Sequence, residues 1–336
     1  LPFTLFVSAV PERPAAPASE AIALKDGDKN EYGMQIPAYD INRYTPAQMV
    51  AIPLIVLVVA LASLAITTAS TGLPVHPGID FTGGETVTIM TTETTEQVSA
   101  VFGDFPLETV RDVTGGKYLE FRAMDDTTAL NALINTRYPD ANIFHIGASF
   151  GKNLQGLAIQ ALVLSFIGMS IVVFVTFRTF VPSGAVVLSA FADIVMTGAA
   201  MNLLGVPLTL GTTAALLMLI GYSVDSDILL TMRTLKRQGK LEDKLAGVFR
   251  TGIIMTSTSM AAVAAMWVVS WVGNIQIINE ISTVLLLGLA FDIMNTWLTN
   301  AGIIKWYVTS RVEARGEAPK KGGAQKPGTG ASGGRK

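Results

Sequence analysis

The sequence predicts an α-helical membrane bundle of six transmembrane helices with a small α+β domain inserted after the first, and three observations predict it. Half of the residues are apolar and only 15% are charged, against roughly a quarter charged in ordinary soluble domains. Six apolar stretches are each long enough to cross a hydrocarbon core of about 30 Å at 1.5 Å rise per residue. One hydrophilic insertion of about 80 residues separates the first stretch from the other five.

Residues 1–45 run through Pro11, Pro14 and Pro17 into the polar stretch Lys25 to Glu31, and read as a largely disordered segment. The first span is expected within 46–70, from Met49 to about Thr67, with Pro53 in its opening turns, where a proline costs least. The insertion, 71–152, alternates in a readable way. Glu85 to Met90 reads as a strand, about 94–104 as a helix and about 107–113 as a second strand. Gly115-Gly116 then marks a hairpin into Tyr118 to Arg122. Residues 126–137 read as a helix and Ala141–Ile146 as a last strand. The order βαββαβ is the ferredoxin-like arrangement. Five further spans follow within 153–305: Leu154–Phe177, Val181–Leu203, Val206–Leu230, Ile253–Val272 and Ile277–Ile304. Residues 306–336 end in a Gly- and Lys-rich tail that reads as disordered and solubilising, with contact to anionic lipid or ribosomal RNA as the rival reading.

Basic residues set the orientation. Arg178, the linker from Arg233 to Lys244 and the tail from Lys305 fall on one side of a six-span threading, while the short links near Gly205 and Asn274 carry no charge. The positive-inside rule then places both termini in the cytoplasm and the α/β domain outside. That domain carries eleven Asp or Glu against five Lys or Arg, so nucleic acid is not an expected partner. With no cysteine, two histidines and no HExxH, neither a disulfide framework nor a metal site is expected.

Chemistry is expected where charge enters the spans. Asp225 and Asp227 stand inside the apolar run that begins near Val206, although an ionised Asp at the bilayer centre costs roughly 2.5–3.5 kcal/mol on insertion scales. Residues i and i+2 of a helix point about 200° apart, so only one of the two can line a narrow path. Asp193 lies near the middle of the third span and Asp292 near the middle of the sixth. Arg250 stands at the entrance to the fifth, at a depth that allows pairing with Asp225: about 9 Å above Lys244, against about 12 Å from Asp225 to Arg233. A carboxylate held between desolvation and an arginine can take up and release a proton, and Asp225 is the expected carrier. A permanent ion pair between helices is the plainer alternative, and for Asp193 and Asp292 it is hydrogen bonding to neighbouring hydroxyls. The fifth span, with Thr256 to Ser259 followed by Ala261, Ala262, Ala264 and Ala265, is expected at the centre of the bundle because small residues let backbones approach. His76 and His145 fall outside the spans, in surface or hinge positions.

Hydrolysis is not expected. An intramembrane aspartyl protease needs Gly-x-Gly-Asp on one span and Tyr-Asp on another, whereas Gly221 is followed by Tyr-Ser-Val-Asp and Tyr39-Asp40 precedes the first span. A serine–histidine dyad lacks an intramembrane histidine.

Gly78-Ile79-Asp80-Phe81-Thr82-Gly83-Gly84, just after the first span, resembles the signature of the SecF subunits of the SecD/SecF protein-export pair, within the RND superfamily. Gly221-Tyr222-Ser223-Val224 followed by Asp, and Ala192-Asp193, resemble two more motifs of that family; the similarity covers about residues 42–308 and has an archaeal cast. The bacterial pattern departs from this chain in placing Asn before its carboxylate, where Asp225 stands here. Arg250 resembles the family's Ser-Arg-Thr arginine, although Thr256-Ser257 falls two residues beyond the family spacing. The resemblance implies an RND-like fold in the cell membrane and a complex with SecD beside a SecY-type channel. It also implies secreted polypeptides as substrates and a proton gradient, with no cofactor, as the energy source. A passive assembly subunit and half of a small-molecule transporter are the competing functions. Gly83 and Gly84 are expected to form a turn that fixes the domain relative to the first span.

Overall fold

A computed structural model describes residues 44–236 and 241–314. The N-terminal segment through residue 43, residues 237–240 of the basic linker and the tail from 315 lie outside the described residues.

The chain enters through α1 (Pro46–Thr71). Thr45 accepts from the Gln48 amide while the Gln48 side chain accepts from the Thr45 amide, and Pro46 occupies the first helical position. That reciprocal cap starts the helix three residues before the apolar run. The short α2 (Ile79–Thr82) leads into β1 (Gly84–Ile89), α3 (Thr95–Val101), β2 (Leu107–Val113), β3 (Gly116–Arg122), α4 (Thr128–Arg137) and β4 (Asn142–Ile146). These four strands form one antiparallel sheet in the order β2-β3-β1-β4. Alternation along each strand sends Val87, Ile89, Leu119 and Phe121 to one face, where they pack on Val98 and Phe102 of the α3 region and Leu130 and Ile134 of α4. The opposite face carries no helix of its own unit, and it looks toward the bundle.

The bundle continues with α5 (Ala148–Phe177), α6 (Phe180–Leu204), α7 (Leu210–Lys236), α8 (Leu241–Val272) and α9 (Gln276–Met294). A π-helical turn, Asn295–Asn300, joins α9 to α10 (Ala301–Ala314) without a break. Six stretches among the described residues are long and apolar enough to cross a membrane, the last being α9, the π turn and most of α10 together.

The helix that carries the fifth span starts at Leu241, twelve residues before Ile253, so Arg250 sits in its third turn, and the expectation that this helix is central is corrected. The Ala-rich α8 is peripheral: α6 and α7 are the most enclosed helices, while α8 and α5 present most of their apolar surface outward. Small residues permit close approach, but the helices that use it here are the ones that also carry polar groups needing partners.

The α/β unit is fastened to the bundle at two places. At one, the Gly78 amide donates to the Leu208 carbonyl (2.8 Å), the Leu208 amide to His76 (2.7 Å), and the Leu210 amide to the Asp80 carboxylate (2.9 Å), which thereby caps α7. At the other, Arg111 of β2 pairs with Glu280 of α9 (2.9 Å), and the Thr114 hydroxyl donates to the Gly273 carbonyl (2.6 Å). Gly83 (φ 77°) and Gly84 (φ 145°) form the bend between α2 and the sheet. A Cβ on Gly84 would run into the Phe121 carbonyl oxygen, so both backbone angle and space demand glycine. Gly84→Ala should therefore lower the thermal midpoint of the detergent-purified protein by several degrees, corresponding to about 1–3 kcal/mol. Gly147→Ala, where an added Cβ meets nothing, should leave it unchanged. Equal midpoints for the two variants would contradict this reading of the bend.

Candidate functional site

The polar interior of the bundle is built from three helices. On α7 the residues Ser223, Ser226, Asp227, Leu230, Thr231 and Thr234 recur at three- and four-residue spacing and form its buried face. Asp193 comes from the buried face of α6, and Asp292, Asn295, Thr296 and Asn300 come from α9 and the π turn. All of these side chains are essentially inaccessible.

Their hydrogen bonds join into one network. Asp193 accepts from the Ser223 hydroxyl (2.5 Å) on one oxygen and from the Asn295 amide (2.7 Å) on the other. Asp227 Oδ1 accepts from both the Thr296 hydroxyl and the Asn300 amide, each at 2.8 Å. The Ser226 hydroxyl lies 3.1 and 3.2 Å from the two oxygens of Asp292, and Thr296 Oγ1 lies 3.2 Å from Asp292 Oδ1. Asp227 Oδ2 and Asn300 Oδ1 are buried without a hydrogen-bond partner. The π turn brings Thr296 and Asn300 to the same carboxylate oxygen, consistent with the enrichment of such turns at functional positions.

Hydroxyls and amides make up all the hydrogen-bond partners of the three carboxylates, and no lysine or arginine among the described residues forms an ion pair with them. Proton counting follows. Thr296 has one hydroxyl proton and two carboxylates within reach, and Ser226 has one proton for Asp292 and the Ser223 carbonyl (2.9 Å). Thr296 and Ser226 are thus shared, while Asp193 has two donors of its own and Asp227 keeps Asn300. Burying polar groups away from such partners is costly, so the cluster ties the three helices together.

Asp225 and Asp227, two residues apart, face opposite ways. Asp225 is exposed on an outward stripe of α7 with Ala214, Met218, Gly221 and Tyr222, and makes no hydrogen bond or ion pair with a described residue. Arg250 is likewise exposed, on α8. The Gly78-to-Gly84 stretch is far from the carboxylates in role: Gly78 and Asp80 hold the start of α7, Phe81 is buried against the bundle, and Gly83 and Gly84 make the bend. Structure thus brings together Asp193, Asp227 and Asp292, and separates them from Asp225 and Arg250. The residues that sequence reasoning missed are Ser223, Ser226, Asn295, Thr296 and Asn300. Their signal was spacing, since Ser223 stands four before Asp227, and Asn295 and Thr296 three and four after Asp292.

A family model described as protein export membrane protein SecD/SecF, C-terminal, matches residues 127–310. The protein-export membrane protein SecF of Methanolacinia petrolearia is 55% identical over 272 residues, covering 80% of this chain and 96% of that protein. The SecF of Haloferax volcanii is 45% identical over 81% of this chain and 96% of its own length. That of Pyrococcus furiosus is 38% identical over 79% and 92%, respectively. In three dimensions the chain is similar to the crystal structure of SecDF, a translocon-associated membrane protein from Thermus thermophilus, with a TM-score of 0.61 and 17% identity. The match covers 78% of this chain and 38% of that one.

The network makes a stability prediction. Asp227→Asn keeps an acceptor for Thr296 and Asn300, whereas Asp227→Leu strands both donors at about 1–3 kcal/mol each. Thermal unfolding in detergent should therefore rank wild type, then Asp227→Asn, then Asp227→Leu, with the leucine variant lowest by several degrees. A leucine variant as stable as the asparagine variant would contradict the network.

Proposed function

This chain belongs to the SecD/SecF protein-export membrane family, and from that premise we propose that it works as a SecF-type subunit. In this reading it acts with SecD beside a SecY-type channel and uses the proton gradient to promote outward movement of secreted polypeptides. The observation that carries the proposal is Asp225. It is a lone carboxylate about 23 Å along α7 from Leu210, on a stripe of small and apolar residues that this chain leaves open. Ionisable residues inside membranes face a bundle interior or a polar partner, and small residues mark helix–helix interfaces. The stripe is therefore the side on which SecD is expected to sit, with Asp225, and Arg250 on α8, at the seam.

Asp225 is the proton carrier in this account, because a carboxylate at a seam can exchange protons when the two subunits move. Moving one charge through 100 mV is worth about 2.3 kcal/mol, a bias of about fiftyfold on a two-state bundle. Asp193, Asp227 and Asp292, enclosed by hydroxyls and amides, brace α6, α7 and α9. No bond-breaking step and no cofactor is involved. Charge asymmetry supports cytoplasmic termini and an exterior α/β unit. The βαββαβ order and the sheet order β2-β3-β1-β4 support reading that unit as a ferredoxin-like module. Lipids cover the outward faces of α5 and α1.

Asp225→Asn preserves size and hydrogen bonding and cannot ionise. It should assemble with SecD as wild type does and lose gradient-dependent stimulation in a vesicle translocation assay, leaving basal translocation in place. Asp227→Asn should retain most of the stimulation. Full stimulation by Asp225→Asn would sink the assignment, and loss of the SecD complex would favour a purely structural subunit.

A further inference from the structure

Between the helix-free face of the sheet and the nearby ends of the membrane helices lies a cavity of about 780 Å³, within the roughly 300–1,000 Å³ range of ligand pockets. Its roof is Thr88 of β1, Tyr118 and Glu120 of β3, and Phe144 of β4, positioned side by side by the strand register. Its floor is Phe150 and Leu154 of α5, Leu210 of α7 and Ile277 of α9. The two fastenings, Asp80 to Leu210 and Arg111 to Glu280, hold roof and floor apart at either side.

The lining is mainly apolar and openly so: Phe144 is 63% exposed and Ile277 67%. Its titratable carboxylates are Asp80, Glu120 and Glu280, and its one histidine, His145, faces Glu85 at 3.3 Å. Asp80 is committed to the start of α7 and Glu280 to Arg111 and Gln276. Glu120 belongs to neither fastening and has the Tyr118 hydroxyl as its hydrogen-bond neighbour; burial holds its carboxyl above the ordinary carboxylate range, with Arg111 pulling the other way and Glu280 adding to the rise. An anionic headgroup or nucleotide would meet repulsion here, and a wholly apolar guest would deepen the desolvation of Glu120. A cation beside apolar groups answers both. The rim adds a direction, because β4 is an edge strand whose outer side pairs with no strand among the described residues, and an extended chain can add to such an edge.

We propose that this cleft receives a short extended segment of the exported polypeptide, one carrying a lysine or arginine among apolar residues. The proposal rests on the export role given above and names the client contact of the α/β unit. The cleft admits an extended strand and not a folded domain, so it engages clients before they fold. Its position at the start of α7 places the client at one end of the helix that bears Asp225.

The chain contains no cysteine, so a single introduced thiol reports one location. Thr88→Cys in the cleft, Phe144→Cys as a second cleft position and Asn135→Cys on the far side of α4 would each be placed in vesicles with SecD and the channel. The probe is a secretory precursor arrested in transit, with one cysteine beside a Leu-Lys-Leu segment. Disulfide adducts with the precursor should form at residues 88 and 144 and not at 135. Adding Glu120→Gln should reduce the adduct at 88 about tenfold, the loss expected for one charge-assisted hydrogen bond. Equal adducts at all three positions, adducts with SecD alone, or no precursor adduct at either cleft position would overturn the proposal. Gradient-dependent export is read in the same vesicles, so failure of the export role registers separately from failure of the cleft.

Discussion

Desolvation of carboxylates is the constraint on which the bundle depends. In a bilayer, apolar helices gain little by leaving lipid for one another, so helix order must come from packing and from polar groups that need partners. Asp193, Asp227 and Asp292 supply that need on three different helices, and each is met by hydroxyls or amides of another. This is why α6, α7 and α9 form the centre, and why α5 and α8, whose outward faces are apolar, can lie at the edge. The π turn belongs to the same logic, since it lets one stretch of chain deliver both Thr296 and Asn300 to Asp227.

The second consequence is the contrast along α7. A two-residue step turns the helix by about 200°, so the sequence Asp225-Ser226-Asp227 presents one carboxylate to the interior and one to the outside. The interior one is enclosed by this chain, its Oδ1 accepting from Thr296 and Asn300. The outer one is exposed and makes no hydrogen bond or ion pair with a described residue. The same helix begins at Leu210, held by Asp80 of the α/β unit, so a single continuous element runs from the α/β unit to the outward carboxylate. Movement of α7 would be felt at both, and the Gly83–Gly84 bend and the Arg111–Glu280 pair limit how the α/β unit can follow.

Much of this was legible from residue patterns, for physical reasons. Apolar runs long enough to span a bilayer are dictated by composition alone, and alternation with a Gly115-Gly116 hairpin reveals strands. The aspartates stood out because charge in an apolar run is costly. Partner identity was not legible. Depth along two antiparallel helices suggested Asp225 with Arg250, but depth says nothing about facing, and both side chains turn outward. Small residues in α8 suggested a central helix, yet the same residues serve an interface with another subunit equally well. The π turn has no sequence signature that periodicity can detect, because it shifts the phase of the pattern without changing residue types. Asn300, which reaches Asp227 through the π turn, was hidden by that shift.

The central claim is that two aspartates on one helix have different fates: Asp227 sealed inside this chain, Asp225 covered only by a partner. Labelling with a hydrophobic carbodiimide, which reacts with protonated carboxyls in apolar surroundings, followed by mass spectrometry of the α7 peptide, reads both at once. The account predicts modification of Asp225 in the isolated subunit, protection of Asp225 once SecD is bound, and no modification of Asp227 in either state. Modification of Asp227, or labelling of Asp225 that is unchanged by SecD, would contradict it.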